Sequence, residues 1–183
     1  MDFLALNWNE LQTKTFELSK KIKNEKIDLI VAIARGGLCI SHILSDFLGV
    51  SITSFTISSY SDLKQEKSLK ILYKIDADFS NKKILLVDDV SDTGKTFIRG
   101  IEYLKELGAK EIKTASLFIK PWTKFLPDFY VDKTSSWIIF PCEIKETIIS
   151  LVNKFKKTGL NDKDIKLKLK KIGINNFFVD KFL

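Results

Sequence analysis

The sequence predicts an α/β fold: a mostly parallel, twisted sheet flanked by helices, with a small hood and a helical C-terminal extension. Three observations predict it. Short apolar runs at residues 27–34, 83–89 and 112–118 read as buried strands. Amphipathic or glycine-stopped helical segments separate them, the alternation that yields parallel strands joined by crossover helices. The turns after these strands gather charged and small polar residues, where ligands of such sheets bind.

Each element follows in order. Leu11, Thr15, Leu18 and Ile22 recur at helical spacing while Lys14, Lys20 and Lys21 fall elsewhere, so residues 8–23 are an amphipathic helix. Residues 27–34 form a buried strand that runs into a loop at Arg35-Gly36-Gly37, and a helix over 39–48 stops at Gly49. Residues 51–57 alternate as a strand does. The stretch 58–70 is polar, charged and without period, the pattern of a mobile loop. The strand at 83–89 is the clearest in the chain; it closes on two aspartates, and a helix then runs to Leu107 with Gly108 as its stop. A strand at 112–118, a turn at Lys120-Pro121 and an apolar segment at 129–131 come next, and 137–140 is a strand or a hood over the site. Residues 146–183 are helical in two or three pieces, broken at Gly159 and Gly173, with Asn161 as an N-cap. The organisation expected is one domain over 1–146 with its hood, followed by a basic helical extension over 147–183.

Composition narrows the function. A chain of 183 residues suits one compact domain with an appendage. Cys39 and Cys142 stand far apart and form neither a disulfide framework nor a zinc-spaced set, which fits a reducing compartment. The N-terminal residues lack the charged and apolar regions of a signal peptide, and Asp28 and Arg35 interrupt the most apolar stretch, so a cytoplasmic protein without a membrane partner is expected. Of the net charge of +7, residues 151–183 contribute +6 through nine lysines against Asp162, Asp164 and Asp180. The body is therefore almost neutral, and the basic tail reads as a solvated helical face in preference to a nucleic-acid arm.

The sharpest feature is Ile84-Leu85-Leu86-Val87-Asp88-Asp89-Val90-Ser91-Asp92-Thr93-Gly94-Lys95-Thr96. A buried strand delivers two carboxylates to its end, and a small polar turn opens a helix whose N–H groups and dipole favour an anion. The hydroxyls of Ser91, Thr93 and Thr96 add donors. Carboxylates beside a phosphate would repel it, so Asp88 and Asp89 are better explained as acceptors for sugar hydroxyls or contacts to a metal. A Walker A loop is excluded, because its first glycine would fall at Asp89. Taken singly, each residue would read as strand-end solvation or a helix cap; the whole run suits a phosphosugar site.

This segment resembles the phosphoribosyl pyrophosphate (PRPP) signature of the type I phosphoribosyltransferases, and the resemblance covers about residues 8–146. Ile33-Ala34-Arg35-Gly36-Gly37 is similar to the family's pyrophosphate loop, Ser58-Ser59-Tyr60 to the start of its flexible loop, and Phe118-Ile119-Lys120-Pro121 to its base-reading lysine. Trp137-Ile138 with Pro141-Cys142-Glu143 is similar to the hood of the xanthine-guanine phosphoribosyltransferases. The resemblance implies a Mg²⁺-dependent purine salvage enzyme that joins guanine, xanthine or hypoxanthine to PRPP, releasing nucleotide and pyrophosphate. It implies that Asp88 and Asp89 hold the ribose hydroxyls, with Asp89 touching the metal, and that Asp92 manages the proton at purine N7. Ser91, Asp92, Thr93, Gly94, Lys95 and Thr96 would hold the 5′-phosphate, and Arg35 and Gly36 the pyrophosphate, with Ser59, Tyr60 and Lys67 in the loop that closes. Lys120 would donate to O6, Trp137 would stack on the ring, and carbonyls near Ile138 and Glu143 would face the 2-position.

Three departures touch base selectivity: Cys142 replaces a hood aromatic, Glu143 a shorter acid, and Lys67 an arginine. Other residues read more plainly. His42 falls within an apolar helix and reads as packed or partly exposed, and Trp8 and Trp122 earn no functional role. The apolar positions of the tail suggest packing or assembly into a dimer or tetramer. The competing class is a regulator on the same fold that senses PRPP or a nucleotide and binds nucleic acid; Lys120 and the hood favour the enzyme.

Overall fold

The computed structural model describes residues 2–60 and 68–183. In chain order its elements are β1 (Phe3–Ala5), α1 (Trp8–Ile22), β2 (Leu29–Ala34), α2 (Gly36–Leu48), β3 (Ile52–Tyr60), β4 (Ser68–Tyr73), β5 (Lys83–Ser91), α3 (Lys95–Glu106), β6 (Glu111–Ile119), β7 (Phe129–Lys133), β8 (Trp137–Ile139), a 3₁₀ turn (Pro141–Glu143), α4 (Ile144–Lys156), α5 (Asp162–Lys171) and α6 (Asn176–Phe182). They form two compact units, one of residues Gln12–Thr134 and one of Met1–Leu11 with Ser135–Leu183. By contact, residues 135–146 therefore group with the C-terminal helices, ahead of the boundary expected at 146.

The first unit is built on a six-stranded sheet in the order β4-β3-β2-β5-β6-β7. Every neighbouring pair is parallel except β3 with β4. Its strands are apolar on both faces because both are covered, as parallel sheets require. Val31, Ile33, Ile84 and Leu86 join Phe55 and the α3 side chains Phe97, Tyr103 and Leu104 in one core. Ile30, Ala32, Leu85 and Val87, which point the other way at period two, are equally buried, and α2 packs on β2 and β5. Each of the buried Val, Leu, Ile and Phe side chains contributes roughly 1.5–3 kcal/mol.

The topology fixes where a ligand can sit. The chain leaves β2 through α2 toward β3 and leaves β5 through α3 toward β6, so the winding reverses between the two central strands. A crevice opens at their carboxyl ends. Register pairs Ala32 with Val87, which brings the residues after Ala34 out of the sheet beside Asp88 and Asp89.

Two expectations for this unit need correction. The helix expected from 39 begins at Gly36, because Gly36 and Gly37 take up helical backbone directly after the strand. The aperiodic stretch at 58–70 is strand at both its ends: Ser58 pairs with Lys70 and Tyr60 with Ser68 in the β3–β4 hairpin. Lys67, expected to act in this loop, lies outside the described residues.

In the second unit β1 and β8 pair in parallel as a separate ribbon, with Phe3 opposite Trp137. Three helices, the larger of the two numbers expected, close over Ile139, Ile148, Leu151, Phe155, Ile165, Leu169, Ile174 and Val179. Gly159 (φ 83°) and Gly173 (φ 97°) mark the breaks between them, and Asn161 Oδ1 accepts from Asp164 N at 3.0 Å, capping α5. Part of the tail's positive charge is paired inside this unit, Lys156 with Asp162 and both Lys166 and Lys170 with Asp180. Such exposed pairs stabilise little. Among the described residues no helix is long and apolar enough to cross a membrane.

Candidate active site

The crevice is floored by two strand ends held very close together. A Cβ on Gly36 would lie 2.7 Å from the Asp89 carboxylate carbon, and one on Gly37 would lie 2.3 Å from the Val87 carbonyl oxygen. Only residues without a side chain permit that approach. Arg35 stands at the N-cap of α2, exposed, after a cis Ala34–Arg35 peptide.

Asp88 is 8% exposed and Asp89 half-buried. Asp88 Oδ1 accepts from Asp89 N at 3.0 Å, and Asp89 Oδ1 accepts from Val90 N at 2.7 Å. Each carboxylate is thereby set by the turn's own main chain. A carboxylate offers about four acceptor directions, the chemistry that paired sugar hydroxyls or a divalent cation demands.

The N-termini of both helices that rise from this floor lack a capping side chain at the N-cap position. Neither α2 nor α3 has a side-chain cap or an acidic residue in its first turn. Thr93 Oγ1 accepts only a long hydrogen bond, 3.5 Å, from Lys95 N. The first-turn N–H groups and the positive end of each macrodipole border the crevice, with the Asp89 carboxylate set against the start of α2. Gly94, at φ 82°, turns the chain into α3, and a Cβ there would meet Phe125 Cβ at 2.4 Å.

Phe125 belongs to a segment clamped against this turn. Its ring stacks on Phe97 with centroids 5.3 Å apart, and Ser91 Oγ donates to its carbonyl at 2.8 Å while sharing a 2.9 Å bond with Thr123 Oγ1. Ser91 is buried, so its hydroxyl anchors this segment and does not open onto the turn as the sequence suggested. Lys120 N donates to Ser91 O at 3.0 Å and Thr123 N to Lys120 O at 3.1 Å. The clamp carries Lys120 and Trp122 to Asp92: the Trp122 indole Nε1 donates to Asp92 Oδ1 at 2.7 Å, and Lys120 Nζ lies 5.8 Å from the centroid of the Trp122 ring.

Lys120 is 8% exposed. Burial holds its ammonium below the usual lysine value, and the charge of Asp92 offsets part of that effect. It is thus a partly desolvated cation next to a carboxylate, suited to donate to a ligand carbonyl.

The structure thus brings Arg35, Gly36, Asp88, Asp89, Asp92, Thr93, Gly94, Lys95, Thr96 and Lys120 together in one unit. Ser59 and Tyr60 continue β3 toward the hairpin. Trp137, Ile138 and Glu143 belong to the other unit, where Trp137 N donates to Asp2 O at 2.8 Å and Glu143 ends the 3₁₀ turn with its N–H on Phe140 O at 3.2 Å. His42 is exposed on α2. Sequence reasoning missed Trp122, Thr123 and Phe125. The available signal was position alone, a tryptophan two residues beyond Lys120 in a polar turn.

Comparison with known proteins accords with this geometry. The family described as a phosphoribosyl transferase domain matches residues 7–147. The xanthine-guanine phosphoribosyltransferase of Idiomarina loihiensis is 30% identical over 143 residues, 76% of this chain and 86% of that protein. The crystal structure of a purine phosphoribosyltransferase from Pyrococcus horikoshii Ot3 is 42% identical with a TM-score of 0.73, over 77% of this chain and 94% of the other. The Helicobacter pylori xanthine-guanine-hypoxanthine phosphoribosyltransferase shares the fold at 24% identity, with a TM-score of 0.70 over 81% of this chain and 98% of that one.

Proposed function

The chain belongs to the phosphoribosyltransferase family, and from that premise we propose that it transfers the phosphoribosyl group of PRPP to a 6-oxopurine. The base is guanine, xanthine or hypoxanthine, and the reaction serves purine salvage in the cytoplasm, in a homo-oligomer. The observation that carries the reading is the pair of helix N-termini without side-chain caps or first-turn acids that follow adjacent strands, with Asp88 and Asp89 between them. PRPP has two phosphate ends joined by a diol-bearing sugar, and this floor has two anion sites joined by two carboxylates.

In this reading the α3 turn at 93–97 binds the 5′-phosphate and the α2 terminus, with Arg35, binds the pyrophosphate. Asp88 and Asp89 accept from the ribose hydroxyls. Magnesium fits this donor set: it commonly takes one or two carboxylates and completes its shell with water and substrate phosphate, so no cluster of protein ligands is required, and Asp89 would be the residue that touches it. When bound, the cation supplies charge neutralisation to the pyrophosphate.

The bond from the anomeric carbon to pyrophosphate breaks and a bond to the purine nitrogen forms, so positive charge develops on the ribose ring. No protein nucleophile is needed. Lys120 donates to O6 and Asp92 accepts the proton at N7, which orients the base and raises its nucleophilicity. Trp137 would stack on the ring, the role that its resemblance to the family's hood implies.

The test is nucleotide formation from PRPP and Mg²⁺ with guanine, hypoxanthine, xanthine and adenine in parallel, beside Asp92→Asn. Turnover of a 6-oxopurine that drops by about two orders of magnitude in the variant, the usual size of general acid–base catalysis, is the expected result. PRPP binding without turnover of any base would contradict it and favour the sensor.

A further inference from the structure

We infer that Trp122 is a positioning residue for base recognition: its indole ties the N7-facing carboxylate of Asp92 and the O6-facing ammonium of Lys120 into one unit of fixed spacing. The inference rests on the functional reading above and adds a determinant of selectivity for the 6-oxo group.

Burial does not explain this side chain, which is 53% exposed at the tip of the turn. Its backbone is nevertheless fixed. Pro121 precedes it, Thr123 N closes the turn on Lys120 O at 3.1 Å, and Thr123 Oγ1 donates to Ser91 Oγ at 2.9 Å. A rigid ring on a fixed turn makes two contacts of opposite polarity. The indole N–H is a donor only, so at 2.7 Å from Asp92 Oδ1 it makes a charge-assisted bond to the carboxylate. The ring face, 5.8 Å from Lys120 Nζ, attracts the ammonium.

With Oδ1 held by the indole, Oδ2 is the oxygen that meets the base. A 6-oxopurine with its proton on N7 presents that donor beside the O6 acceptor, a pattern complementary to one acceptor and one donor held side by side. A 6-aminopurine presents a donor at position 6 to the Lys120 ammonium, which has no acceptor. Trp122 therefore keeps the pair in register for the oxo edge and touches neither PRPP nor its phosphates.

Trp122→Phe removes the N–H while leaving a ring under Lys120, and Trp122→Ala removes both. Purified variants are compared with the wild type in initial rates with hypoxanthine and with adenine, in KM for each substrate, and in thermal midpoint. For Trp122→Phe the expected result is a fall of about tenfold in kcat/KM for hypoxanthine, the worth of one modest hydrogen bond, and a similar loss of preference over adenine. KM for PRPP should stay within about twofold. Trp122→Ala should lose about tenfold more, as cation–π and packing contacts go too. Unchanged hypoxanthine kinetics and preference in Trp122→Phe would overturn the inference. So would equal losses for base and PRPP with a lowered midpoint, which would mark a merely structural role. Absence of purine turnover in the wild type would instead overturn the functional reading on which the inference rests.

Discussion

The helices of this protein start in two different ways. Where α1 begins, Asn7 and Glu10 cap one another, Glu10 N donating to Asn7 Oδ1 at 2.9 Å and Asn7 N to Glu10 Oε2 at 2.8 Å. Asn161 caps α5 and Asn175 caps α6, the latter accepting from Phe177 N at 2.9 Å. The helices α2 and α3 have neither cap nor first-turn acid. A helix start that serves only the fold is satisfied by its own side chains; one that serves a ligand leaves its donors for the ligand. The α4 start lies between, without a side-chain cap but with Glu146 in its first turn.

Four substitutions probe the difference between the two kinds of helix start. Thr96→Glu supplies α3 with the missing first-turn acid, so kcat/KM for PRPP should fall at least about a hundredfold, by repulsion of the phosphate, while stability rises by roughly 0.3–1 kcal/mol. Steady-state kinetics beside chemical denaturation would show both, and unimpaired use of PRPP would break the comparison.

Lys120→Met should act next most strongly, lowering kcat/KM for a 6-oxopurine by about tenfold to a hundredfold through loss of its donor. Because burial depresses the Lys120 value, its charged form costs the fold stability, a cost that is relieved as pH rises through the depressed value. The variant should therefore melt higher than the wild type at neutral pH. In the wild type the same sign predicts that kcat/KM for the base falls on the alkaline side below the ordinary lysine value of about 10.4, and replacing Lys120 should remove that limb from the pH profile.

Trp122→Phe follows, with its tenfold effect confined to the base. Asn161→Ala is the mirror of Thr96→Glu and the smallest change: loss of the α5 cap should cost about 1 kcal/mol, or about 2–4 °C in a melting scan, and leave the kinetics untouched.

The parts of this architecture legible in the sequence are those with strong local pattern. The apolar run ending at Asp88 and Asp89, the stops at Gly49 and Gly108, and the cap at Asn161 are each written in a few consecutive residues. β1 was not legible because three residues cannot show a period, and β4 because its partner across the hairpin confers its strand character. The start of α2 is hidden in the sequence because two glycines argue against helix; their purpose is the approach to Val87 and Asp89, which only the assembled sheet reveals. Trp122 escaped notice for a related reason. Asp92, which gives it a role, lies 30 residues earlier in the chain.

Amide NMR spectra of the labelled protein titrated with PRPP and Mg²⁺ would show whether the two uncapped helix N-termini receive the two phosphate ends of PRPP. If they do, the largest shifts fall on the amides of Gly36, Gly37, Gly94, Lys95, Thr96 and Phe97, with Asn161 and the rest of α5 unmoved. Saturable binding that leaves those six amides in place would contradict that binding mode.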